Sequence, residues 1–131
     1  MATDDVRDYL QGVQRTRGYV LDMHRIMASA DLQWAKKYDE FIEATYTGQR
    51  LLDRKTKELL QVAVEAALRA DVEQIQLHVR LALQEGASPQ EVLEALEAVV
   101  APMGALAFRR GVQAWANETG FKPVEVGASG S

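Results

Sequence analysis

Along nearly the whole of this 131-residue chain, apolar residues recur at three- and four-residue spacing, while alternating runs and hairpin dipeptides are missing. That periodicity leaves an all-α fold, and six helical stretches are expected. Tyr9, Leu10, Val13, Val20, Leu21, Ile26 and Met27 mark a first helix or helix pair, with Gly18 as the break. Ser29-Ala30-Asp31 caps a second helix carrying Leu32, Trp34, Ala35, Tyr38, Phe41 and Ile42, and Gly48 sits in the turn that follows. Asp53 precedes Arg54 to Arg69, whose apolar residues occupy most of the circumference, so this helix is expected to be central and buried on most sides. A fourth helix opens at Asp71 or Val72 and ends at Gly86. Ser88-Pro89-Gln90-Glu91 is a complete start signal, with an N-cap, a proline at the first position and a capping-box Glu. The fifth helix carries Val92 to Val100 until Pro102 breaks or kinks it, and the sixth runs from Met103 to Ala116 and stops near Gly120.

This length fits one domain, expected over residues 1–126, with the Gly/Ser-rich 127–131 as a flexible tail or cloning scar. Such a chain buries enough surface to fold without cross-links. It has no cysteine, which excludes disulfides, thiol nucleophiles, Cys-x-x-Cys redox pairs and thiolate metal sites. A net charge of -4 argues against a nucleic-acid partner. The acidic opening residues lack the pattern of a secretory signal, and the longest apolar run, Ala98 to Phe108, is too short for a membrane span. A soluble cytoplasmic protein is therefore expected.

Two stripes carry groups suited to chemistry. On the fourth helix His78 falls at the edge of the apolar arc, in line with Asp71, Gln74 and Glu85. A histidine in that position either satisfies a neighbour or transfers protons near neutral pH. On the third, Arg54, Glu58, Gln61, Glu65 and Arg69 share one narrow face. This is either a solvated, salt-bridged surface with pairs Arg54–Glu58 and Glu65–Arg69, or a cleft lining with a carboxylate acid or base. His24 has no carboxylate at metal-ligand spacing, so no metal site and no cofactor are expected.

The run Leu52-Asp53-Arg54-Lys55-Thr56-Lys57-Glu58-Leu59-Leu60, followed about 20 residues later by His78-Val79-Arg80, the Gly86 stop and the Ser88-Pro89-Gln90-Glu91 box, resembles the carboxymuconolactone decarboxylase family. The resemblance covers about 51–116. It implies an alkylhydroperoxidase D-like helical bundle of about six helices, assembling as a homo-oligomer, a trimer or hexamer, with sites near subunit contacts. The peroxidase branch of that fold carries cysteines seven and four residues before the histidine; here those positions are Asp71 and Gln74, so its redox chemistry does not carry over.

The decarboxylase branch carries Leu-His-x-Arg, matched by Leu77-His78-Val79-Arg80. By this resemblance His78 is the proposed catalytic histidine. Glu58 is its partner with a one-residue difference in spacing, and Glu65 stands in reserve on the same stripe. Arg80 and Gln74 are the candidate substrate-binding residues, although on a helical wheel Arg80 points away from His78 and would serve a neighbouring subunit's site or none. The implied function is a cofactor-independent decarboxylase or related proton-transfer lyase, a carbon–carbon lyase acting on a small organic acid or lactone. Another non-redox enzyme on the same fold, an isomerase or hydrolase, and a non-catalytic helical oligomer remain alternatives.

Overall fold

The computed structural model describes residues 2–127; the rest of the expected tail, 128–131, lies outside them. Among the described residues there are seven α-helices and no strand. The expected first helix is the pair α1 (Ala2–Arg17) and α2 (Asp22–Ala30), parted at Gly18, which adopts a positive φ of 89°. Then come α3 (Leu32–Ile42), α4 (Arg54–Ala67), α5 (Val72–Gln84), α6 (Pro89–Met103) and α7 (Leu106–Thr119). No helix among these residues is long and apolar enough to cross a membrane. The helices fall into two compact units, one up to Leu52 and one from Asp53 onward.

In the first unit, acidic Asp4 and Asp5 open α1 and basic Arg15 and Arg17 close it, matching the helix dipole at both ends. Asp31 caps α3 by accepting the Trp34 N–H at 3.1 Å. The indole of Trp34, half exposed, stacks on Tyr38 with ring centres 5.5 Å apart. After Ile42 the chain widens into one π-helical turn, Glu43–Thr47. Gly48 ends it, because a Cβ there would lie 2.5 Å from the Glu43 carbonyl oxygen.

In the second unit α4 packs against α5, α6 and α7. Val62 and Ala66 from α4, Ile75, Val79 and Ala82 from α5, Val92 and Leu96 from α6 and Ala114 and Trp115 from α7 make one core. Gly111 allows α7 to approach closely: an added Cβ would sit 2.5 Å from Leu96 Cδ2 and 3.1 Å from Ala66 Cβ, an overpacking that costs about 1–3 kcal/mol. Trp115 is buried, donates its indole N–H to the Pro89 carbonyl at 2.8 Å and lies beside Phe121. The Ser88 capping box forms as expected, with Glu91 N–H on Ser88 Oγ at 3.0 Å and Ser88 N–H on Glu91 Oε1 at 2.9 Å. Such a cap contributes about 1 kcal/mol. Pro102 lies inside the final turn of α6 rather than ending it, and the break falls at Gly104, where φ is 85°.

Helix α4 is central, yet it is not buried on most sides. Leu60, Val64 and Leu68, one turn apart, are each at least half exposed, whereas Lys57 and Glu58 are buried. A wheel reports which residues share a face, and packing has chosen the polar face for part of the interior.

Helices α4 and α5 end in the same way. In α5 the Ala87 N–H returns to the Ala82 carbonyl and the Gly86 N–H to the Leu83 carbonyl; in α4 Ala70 returns to Glu65 and Arg69 to Ala66. Both are Schellman caps, and their left-handed residue is usually Gly. Gly86 meets that preference at φ 100°, but α4 places Arg69 there at φ 56°, the one non-Gly residue with positive φ among those described. A side chain in that conformation costs about 1–2 kcal/mol.

Candidate active site

The face of α4 that carries Glu58 and Glu65 turns toward α5 and meets His78. Glu58 is fully buried, and its Oε1 lies 2.7 Å from His78 Nδ1. Its second oxygen, Oε2, accepts Arg54 Nε–H at 2.6 Å. A carboxylate engaged by a guanidinium only accepts. The hydrogen-bond pattern therefore assigns the Nδ1 proton to His78 and turns Nε2 toward the other carboxylate. Glu65 Oε1 stands 3.4 Å from that nitrogen, within ion-pair range and long for a hydrogen bond.

Glu65 is also contacted by the Gln74 amide, whose Nε2 lies 3.3 and 3.4 Å from the two carboxylate oxygens. The imidazole and Glu58 are essentially closed to solvent, while the Glu65 side chain keeps 13% of its surface exposed. Glu65 is thus the more open of the two carboxylates in the row Arg54, Glu58, His78, Glu65. Burial raises the Glu65 carboxyl above its ordinary range, against the lowering effects of His78 and the Gln74 hydrogen bond. Among the described residues no group of three or more His, Cys, Asp or Glu is arranged to hold a metal ion.

Several expectations change here. His78 is buried, not half in the core, and the polar stripe of α4 is internal from Arg54 to Glu65 rather than a solvated surface. The pair Arg54–Glu58 forms; Glu65–Arg69 does not, because α4 ends at Ala67 and Arg69 is turned away by its left-handed backbone. Glu58 and Glu65 need no choice between them, since each faces a different nitrogen of His78. Gln74 joins the cluster. Arg80 does not: its guanidinium is half exposed and held by Glu118, at 2.7 and 3.3 Å. That contact raises Arg80 and lowers Glu118 relative to their ordinary pKa values.

His24 belongs to the first unit and has different company. Its Nδ1 accepts the Leu21 N–H at 2.9 Å, at the start of α2, and its Nε2 lies 2.7 Å from Arg17 Nη1. Arg17 Nη2 reaches Asp39 Oδ1 at 2.7 Å. Burial, then the Arg17 charge, hold His24 below the usual imidazole range despite the opposing pull of Asp39.

The model of the carboxymuconolactone decarboxylase family matches residues 33–117, which is more than half of the chain. The chain belongs to this family. No curated protein matches it in sequence. The fold is similar to a crystal structure of a protein from Burkholderia xenovorans LB400 that carries the provisional name carboxymuconolactone decarboxylase. The TM-score is 0.76 at 19% identity, over 92% of this chain and 93% of that one. This likeness supports the all-helical family fold.

Proposed function

We propose that this family member is a cofactor-independent decarboxylase, or a related proton-transfer lyase, acting on a small organic acid or lactone. The observation that carries the reading is the placement of His78 between two carboxylates, with Glu58 on Nδ1 at 2.7 Å and Glu65 near Nε2 at 3.4 Å. When an unsaturated lactone acid loses carbon dioxide, the carbon–carbon bond to the carboxylate breaks and its electron pair enters the conjugated system. A proton must then reach a carbon of that conjugated system to quench the charge. Glu58, pinned by Arg54, fixes the tautomer and orientation of His78; Nε2 and Glu65 together hold the transferable proton. The raised Glu65 carboxyl suits an acid that must keep its proton until it is needed.

Of the two candidate substrate contacts, Gln74 reads better than Arg80, because it already touches Glu65, the more open carboxylate of the row, while Arg80 is committed to Glu118. The active form is a homo-oligomer, a trimer or hexamer in this reading. The exposed apolar stripe Leu60, Val64 and Leu68 supports such assembly. Screening unsaturated lactone acids for carbon dioxide release tests the proposal. An acid from which the wild type releases carbon dioxide, but His78→Gln with its helical content intact does not, is the expected result. Equal release by that variant would overturn it.

A further inference from the structure

A second feature of the C-terminal unit is separate from the His78 row. At the end of α4 and the starts of α5 and α7, an open cleft of about 620 Å³ is lined by Arg69, Arg109 and Arg110, with Val72, Leu106 and Val112 supplying apolar walls. None of these residues belongs to the row from Arg54 to Glu65. The other arginines of this unit are neutralised, Arg54 by Glu58 and Arg80 by Glu118. Among the described residues, no carboxylate lies within ion-pair distance of Arg69, Arg109 or Arg110. Three unneutralised guanidinium groups around one cleft, in a chain of net charge -4, form a local reversal of sign.

The backbone adds an independent observation. Arg69 occupies the left-handed position of a Schellman cap, where α5 uses Gly86. Glycine would sit there without strain, so the chain keeps a cationic side chain at this cleft against its own conformational preference; residues held in such strain collect at functional sites. The Arg69 carbonyl also accepts Arg110 Nη1 at 2.6 Å, tying the second arginine to the strained turn. The starts of α5 and α7 add the positive ends of two helix dipoles.

We propose that this cleft binds a small organic polyanion, with at least two negative charges carried by phosphate or carboxylate groups and a short apolar body resting on Val72, Leu106 and Val112. Guanidinium forks match both kinds of oxyanion, and the cleft volume is in the range of small-molecule sites.

Calorimetric titration of the full-length protein with pyrophosphate and with citrate, at fixed ionic strength and with acetate as the monovalent control, tests the site. Saturable binding of at least one polyanion and none of acetate is expected, and the preferred probe identifies the oxyanion. Arg109→Ala and Arg110→Ala each weaken binding about tenfold or more. Arg69→Gly discriminates most sharply, because it relieves the strained turn while removing a charge: its melting temperature rises and its affinity falls at least tenfold. Absence of saturable binding by both probes, or binding equal to wild type in all three variants, would overturn the proposal.

Discussion

Each unit of this protein buries one histidine with an arginine and a carboxylate, in opposite order. In the N-terminal unit the arginine touches the imidazole and Asp39 stands behind it. In the C-terminal unit carboxylates touch both ring nitrogens and Arg54 stands behind Glu58. The first order opposes a second proton on the ring, and His24 serves as a joint whose Nδ1 accepts the Leu21 N–H. The second gives His78 an acceptor on either side, the arrangement a proton carrier needs. The same three residue types therefore build a structural joint in one place and a candidate catalytic row in the other, and contact order decides which.

The largest effect expected from breaking this contrast is on turnover. With a responsive lactone acid, His78→Gln lowers kcat/KM by a factor on the order of 100 to 10,000, the usual contribution of a positioned acid–base group. His24→Gln leaves it within about twofold. Equal losses in both variants would erase the functional distinction between the two histidines.

A smaller effect is structural. Arg17→Met strands buried His24 and removes the partner of Asp39, and loses about 1.5–3 kcal/mol, the usual worth of hydrogen bonds to a charged group. Amide hydrogen exchange should accelerate in α1 to α3 and remain unchanged in α4 to α7. Acceleration in both units would show that the cluster supports more than its own helices.

The smallest effect is a pair of opposite pH slopes. His24 is lowered on folding, so the unfolded chain binds more protons below about pH 6.5 and stability falls as the pH drops through that region toward the folded value. Glu65 is raised on folding, so the folded chain holds more protons above the ordinary carboxylate range and stability falls as the pH rises from there to the folded value. Melting curves measured across pH should lose the first slope in His24→Gln and the second in Glu65→Gln. A slope surviving in its own variant would assign it to another group.

The sequence was most readable where the signal is local. The Ser88 box, the Gly86 stop and the break at Gly18 each depend on backbone geometry within a few residues, and each appears where the sequence places it. The polar stripe of α4 leaves two readings open in the sequence, because a helical wheel is identical for a solvated face and for one that meets a buried histidine. Long-range packing with α5 makes that choice, and it also leaves Leu60, Val64 and Leu68 outside. Arg80 matches a family motif, but its partner Glu118 is 38 residues away in sequence, beyond any local pattern. The left-handed Arg69 carried no sequence signal either, since composition gives no reason to seat an arginine where Gly is preferred.

The placement of the chain's two tryptophans has a practical consequence. Trp34 lies in the first unit, half exposed on Tyr38; Trp115 lies in the second, buried and hydrogen-bonded to Pro89. Each unit thus contains one tryptophan with its own degree of solvent access. Acrylamide quenches Trp34 more readily, and the longer-wavelength part of the emission belongs to it. Loss of structure in either half of the protein can be followed in one cuvette, without a label.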